Sequence, residues 1–524
     1  MKKALLIILS AGLVFACGTQ KNDTTSQTNT TVAVTPKPLD VSVYAETITS
    51  DELKEDLYIY ASDEFEGRGT GDEGQKKAVK FLKDQYIAMD IPAAQSNNDY
   101  FQNVPLEKLG VPEVSISAND KAYTNIEDFV SITSVQDGNL NASEIVFAGY
   151  GIEDDEYSSY ADIDIKGKVV LIKSGEPKDD NGNYILTGTT EASKWSNLRQ
   201  AFASKRDVAK EKGAKAVLVY YPEIYDMAVT RYGSARGSIT LKDNSESMYY
   251  FVVNTDMAKN ILPTIETEEK SQTIKIQLNL DYKNTSEEIS SENVAAIIKG
   301  SEKPDEYIII SAHLDHEGIK DGEIYNGADD DGSGTVALLE IADAFKAAAR
   351  NGHGPKRSIV FLHVTGEEKG LLGSRYYSDF DPIFPLANTV ADLNIDMIGR
   401  IDPKHEDGDG NYLYLIGSDK LSSELHTISE NVNNKYTNIV FDYEYNEDDD
   451  PNRFYYRSDH YNFAKNNIPV IFYFSGTHAD YHKPTDTVEK IRYDLLENRT
   501  RLIFYTAWEL ANRDKRIVVD KATE

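Results

Sequence analysis

All nine histidines fall at or after His313, so imidazole chemistry in this chain belongs to its last segment. The richest stretch, "HLDHEGIKDGEIYNGADDDGSG", opens on His313-Leu314-Asp315 and carries Asp329, Asp330 and Asp331 before a helix start. Downstream come Gly366-Glu367-Glu368, then Asp396 in "NIDMIG", then His478 and His482 in "GTHADYHKPTDT". Unpaired carboxylates converging in one crevice are costly, and bound cations remove that cost. Mixed imidazole and carboxylate donors suit zinc, with cobalt or manganese as competitors. A carboxylate at the helix start, Asp329, is placed to bridge two metals about 3.5–4 Å apart.

The elements that position these residues are apolar runs: "EYIIISAH" (306–313), "RSIVFLHVTGEE" (357–368), "NTVADLNIDMIG" (388–399), "NYLYLIGS" (411–418) and "IPVIFYFSG" (468–476). Continuous apolar runs suit strands covered on both faces of a mostly parallel sheet. Between the first two lies "SGTVALLEIADAFKAAARNG", with Val336, Leu339, Ala342 and Phe345 on one helical face. The class is therefore α/β, a mostly parallel mixed sheet with helices on both faces, and sites in such sheets form at the strands' carboxyl ends. Glu367 and Glu368 are adjacent, so a strand would point them apart. They must sit on a turn past the strand end, which Gly366 permits.

In order along the chain, "AHLDH", "NGADDDGSGT", "GEEKGLLGS", "NIDMIG" and "DYHKPTDT" resemble the co-catalytic dizinc aminopeptidases. That family also holds glutamate carboxypeptidase, the transferrin receptor and glutaminyl cyclase. The resemblance covers roughly residues 45–115 and 290–515. It implies a zinc exopeptidase fold and two zinc ions per chain. His313 and Asp396 would hold one, Glu368 and His482 the other, and Asp329 would bridge them. Glu367 would be the general base and Asp315 would orient His313. The resemblance also implies a cis peptide after the bridging aspartate, expected at Asp329–Asp330. Asp330 and Asp331 would then serve the loop and the helix start. His460, in "YYRSDHYNFA", is a candidate donor to substrate or oxyanion, or a histidine shaping its loop.

The domain organisation follows. Residues 41–114 form the first part of the catalytic domain, with helices expected to Tyr86 and a cap at Ser50 or Asp51. Residues 286–524 form the second part, with the metal site. Between them, 115–285 alternate short β-rich runs and turns. "FAGYGI", "YADIDIKGKVVLIKSG" and "AKEKGAKAVLVYY" there resemble a protease-associated domain. The start, "MKKALLIILSAGLVFACGTQ", reads as a signal peptide (1–16) ending at Cys17, the only cysteine. "VFAC" resembles the bacterial lipoprotein box. An exported lipoprotein of a bacterial cell envelope follows, held to membrane through Cys17 and a Thr- and Pro-rich tether (17–40). The net charge of −32 argues against nucleic acid as a partner.

Other readings compete. Asp329, Asp331, Ser333, Gly334, Val336 and Glu340 fall at positions 1, 3, 5, 6, 8 and 12 of an EF-hand loop, but no helix pattern enters it. No G-x-S-x-G supports a serine triad around Ser458 and His460. His316, His363, His405 and His426 read as packing or surface. The function expected is a two-zinc aminopeptidase acting on peptides. Its alternatives are a carboxypeptidase or dipeptidase, a single-zinc glutaminyl cyclase, or a non-catalytic binding protein.

Overall fold

The computed structural model describes residues 39–234, 237–242 and 248–521. The expected signal peptide, Cys17 and nearly all of the tether lie outside these residues. None of the described helices is long and apolar enough to cross a membrane.

Two large sheets organise residues 42–521. In the first, the spatial order is Val440–Asp442, Tyr412–Ile416, Val470–Phe474, Thr389–Ile395, Lys303–His313, Arg357–Val364, Glu287–Ile298, Phe101–Lys108 and Ile239–Leu241. Its centre is parallel: Lys303–His313 lies between Arg357–Val364 and Thr389–Ile395, and Thr389–Ile395 pairs parallel with Val470–Phe474. Towards the edges the pairing turns antiparallel, except that the edge strand Val440–Asp442 runs parallel to Tyr412–Ile416. Along the central strand, Ile309 packs with Val360, Leu362, Tyr377 and Phe463 on one face. Ile308 and Ile310 are equally buried on the other, as the alternation of a strand requires. Burial of each such side chain contributes roughly 1.5–3 kcal/mol. Helices Leu372–Asp379 and His460–Ala464 pack together on the first face. Helices Gly334–Arg350 and Tyr493–Asn512 pack together and against Lys303–His313, with Phe345 on Phe504 and Trp508.

The second sheet runs from Glu113–Ala118 to Gln272–Lys283 and has its own core on each face. Ile239–Leu241 leaves this region to pair with Phe101–Lys108 in the first sheet. The region expected as an insert is therefore stitched to the catalytic sheet by a strand that its local pattern did not single out.

The amino-terminal helices differ in detail from expectation. The cap of Ser50–Tyr60 is Thr49, whose hydroxyl oxygen accepts the Glu52 N–H. Neither Ser50 nor Asp51 has that role, because Ser50 instead donates its N–H and O–H to Glu497 at 2.7 and 2.6 Å. Leu53 and Leu57 are buried as their spacing predicts. Ile59 points outward and Tyr60 takes the inner position.

Arg68, between the helices Ser50–Tyr60 and Glu73–Ala88, is fully buried. Its guanidinium donates to the carbonyls of Leu314, Tyr60, Asn326 and Gly327. One side chain thus ties the end of the central strand to the start of the aspartate loop. Arg68→Met should lower the unfolding free energy by at least about 3 kcal/mol, because buried carbonyls lose their donors. A urea midpoint equal to that of the parent would show that the loop is held by something else.

Candidate metal centre

The expected site residues gather at the carboxyl edge of the parallel strands. His313 ends Lys303–His313, and Asp396 follows Thr389–Ile395. Glu367 and Glu368 begin a 3-10 turn beyond Arg357–Val364, after Gly366 at φ +68°. His482 comes after Val470–Phe474 and reaches the same edge.

One carboxylate faces two clusters. Asp330 Oδ1 lies 3.2 Å from His313 Nε2, which is 3.6 Å from Asp396 Oδ1. Asp330 Oδ2 lies 3.1 Å from His482 Nε2, which is 3.2 Å from Glu368 Oε2. Two donors about 2.0–2.1 Å from a tetrahedral zinc stand about 3.3 Å apart, so these are the spacings of ligands around shared ions. Unpartnered buried atoms say the same. His313 Nε2, Asp330 Oδ2 and Glu368 Oε1 have no hydrogen-bond partner, a condition that costs free energy unless a cation meets it. The donor set therefore fits a pair of zinc ions.

The charges are mutually dependent. Burial opposes ionisation of Asp330, but the facing His313, His482 and His316 hold its carboxyl well below the usual range. Glu368 is held at about 2 by His316 and His482 against burial and Asp330. Burial works against a charged His482, yet Asp330 and Glu368 raise it to about 10. For Glu367, burial and the charges of Glu368, Asp396 and Asp459 outweigh His313 and push the carboxyl well up.

A second layer fixes the donors. His313 Nδ1 lies 3.0 Å from the main-chain carbonyl of Asp315. Ser458 donates to Asp396 Oδ2 at 2.6 Å, leaving Oδ1 for the His313 side. Glu317 stands 3.6 Å from His482 Nδ1 and is itself anchored by Lys369 at 3.1 Å. Such partners set ring orientation and basicity at metal-binding histidines. The small cleft over the centre is lined by Asp330, Glu367, Asp396, Arg457 and Tyr481, with Phe454, Phe472 and Phe474 as apolar walls.

Residues 293–507 match the model of Peptidase family M28. This part of the chain is an M28 peptidase domain. Aminopeptidase YwaD of Bacillus subtilis (strain 168) is 24% identical over 379 residues, 67% of this chain and 64% of that protein. Probable glutamate carboxypeptidase LAMP1 of Arabidopsis thaliana is 34% identical over 119 residues, 23% of this chain and 16% of that protein. The chain thus spans less than two thirds of either relative. The solved aminopeptidase from Aneurinibacillus sp. strain AM-1 superposes with a TM-score of 0.46 at 17% identity, over 92% of this chain and 99% of that one.

Within the M28 domain, three expectations need correction. Asp329 is not the residue between the clusters. Its Oδ1 accepts the Gly399 N–H at 2.6 Å, and its Oδ2 lies 3.3 Å from His478. Asp486 accepts the N–H groups of both Asp329 and Asp330, which fixes the loop one residue out of the expected register. The cis peptide is likewise Asp330–Asp331. Asp331 receives N–H groups from His313, Gly334 and Met397, so it ties the loop to the helix start and to two strand ends. Second, Asp315 meets His313 through its carbonyl. Its carboxylate accepts from Thr70 O–H at 2.6 Å and Glu367 N–H at 3.2 Å. Third, His460 is buried and stacked on Phe472 at 4.8 Å. Burial drives its pKa down to about 3, and among the described residues it does not line the cleft. The EF-hand alternative also fails, because a hairpin, Gly318–Lys320 with Glu323–Tyr325, leads into the loop.

Sequence reasoning missed Tyr481, Ser458, Glu317 and His316. Tyr481 precedes His482 inside a motif already noticed, and its ring stacks on His482 at 3.9 Å. The aspartate register gives a direct test. Asp330→Asn should lower the zinc content of the purified protein, whereas Asp329→Asn should keep zinc and lower the melting temperature. The reverse pattern, by metal analysis and calorimetry, would restore Asp329 as the bridge.

Proposed function

We propose that this chain is a two-zinc exopeptidase that removes amino-terminal residues from peptides. The observation that carries the reading is the Asp330 carboxylate, whose two oxygens face two separate imidazole–carboxylate clusters beneath a cleft holding Glu367. His313, Asp330 and Asp396 would hold one ion, and Asp330, Glu368 and His482 the other. Zinc bound there supplies Lewis acidity towards the peptide carbonyl and acidifies water.

The chain's own groups do the rest. Glu367 takes a proton from the attacking water, oxygen bonds to the carbonyl carbon, and the C–N bond breaks as Glu367 returns that proton to the leaving amine. Tyr481, kept neutral by burial and the surrounding carboxylates, is a hydrogen-bond donor for the developing oxyanion. Phe454, Phe472 and Phe474 suit an apolar substrate side chain. The relative named as an aminopeptidase supports entry of the substrate's amino-terminal end. Arg457 on the same wall is the feature that favours a carboxypeptidase instead, since it would pair a terminal carboxylate. Dipeptides blocked at one end or the other decide between them: blocking the amino end should abolish cleavage, and blocking the carboxyl end should not.

Export and lipid attachment at Cys17 extend the proposal, supported by the apolar run 4–15 and the single cysteine. The second sheet is proposed as a protease-associated-like module that shapes access. Fatty-acid labelling that is equal for the parent and Cys17→Ser would overturn the anchor.

The catalytic assignment predicts that Glu367→Gln keeps its zinc while kcat falls by about 10²–10⁴-fold, the usual scale of general-base assistance. Full turnover in a zinc-replete Glu367→Gln protein would remove Glu367 from the role.

A further inference from the structure

The clusters around Asp330 are unequal. On the Glu368 side stands one more imidazole. His316 Nδ1 is 2.8 Å from Glu368 Oε1 and 3.8 Å from Asp330 Oδ2. Its ring centroid is 5.7 Å from that of His482 at an interplanar angle of 74°. Donor atoms of His316, Asp330 and Glu368 all fall within 4.8 Å of one another. His316 is fully buried, and neither ring nitrogen has a hydrogen-bond partner. The short approach to Glu368 is an ion-pair distance without an aligned hydrogen bond. A buried imidazole unsatisfied at both nitrogens is expensive, and ligation through Nδ1 would offset that cost.

We infer that His316 is a ligand of the ion on the Glu368–His482 side, giving that ion four protein side chains: Asp330, Glu368, His482 and His316. The other ion has only His313, Asp330 and Asp396. Four side chains close a tetrahedral zinc site, whereas three leave a position open for water or substrate. Asp396 of the three-donor side lines the cleft with Asp330 and Glu367, whereas His313, Glu368 and His316 do not, and His482 on the four-donor side is 35% exposed. The inference rests on the two-zinc reading and adds an asymmetry: one ion is enclosed and tightly held, and the open ion on the His313 side receives the substrate.

Zinc affinity tests this without reference to turnover. The purified holoenzyme and its His316→Gln and His316→Ala variants are titrated with a competing chelator. X-ray absorption at the zinc edge counts imidazoles in the parent protein. Parent protein should hold two zinc ions and show three imidazoles shared between them. In both variants one ion should weaken by at least about 10–100-fold, the scale seen even for lost supporting groups, while the other keeps its affinity. Variants that retain both ions at parental affinity, or a parent spectrum fitting two imidazoles, would overturn the inference and leave the two-zinc reading standing. A parent protein that binds fewer than two ions would instead defeat the two-zinc reading itself. Where a variant does not fold, judged by circular dichroism, the parent imidazole count decides.

Discussion

Crowded carboxylates withdrawn from water are the constraint around which this catalytic edge is built. Asp315, Asp330, Asp331, Asp396, Asp459 and Asp486 are all buried within one region, where uncompensated charge is destabilising. The fold answers most of them with donors of its own. Main-chain N–H groups meet Asp331 and Asp486. Hydroxyls of Thr70, Ser458 and Ser374 meet Asp315, Asp396 and Asp459. Protein donors leave unmet Asp330 Oδ2, Glu368 Oε1 and the His313 and His316 nitrogens beside them, and also Asp329 Oδ2, Asp459 Oδ2, Asp486 Oδ1 and His478 Nε2. Two clusters on one shared carboxylate have the shape that the proposed cation pair would need.

The sheet makes this crowding possible. Parallel strands end together, and their carboxyl ends bring residues distant in sequence to one edge. Loops then have to hold charged groups without relaxing into solvent. Arg68 does this from outside the sheet, joining the carbonyls of Leu314 and Gly327. Asp315 does it from within, linking the first strand end to the Glu367 turn. The helix Gly334–Arg350 begins on Asp331, so helix start, strand end and aspartate loop are one hydrogen-bonded unit.

Much of this was legible in the sequence, for physical reasons. The apolar runs at 306–313, 357–368, 388–399 and 468–476 suited covered strands, with donors in, at or beyond the end of each. His313, Glu368, Asp396 and either His478 or His482 stood there, and the family resemblance singled out His482. The aspartate register was not legible, because three identical side chains in a row differ only in which main-chain groups they meet. Asp486, far along the chain, sets that difference. His316 looked like a packing histidine since its partners, Glu368 and Asp330, lie on other loops. Ser458 and Glu317 act through side chains that carry no motif of their own. The strand Ile239–Leu241 is too short for its pattern to show which sheet it joins.

The most direct test of the account is the position of the metals. Anomalous diffraction at the zinc edge, on crystals of the zinc-loaded protein, should give two peaks flanking the Asp330 carboxylate. One should lie between His313 and Asp396, and the other among Glu368, His482 and His316. A single peak, or a pair flanking Asp329 beside Gly399 and His478, would contradict the account.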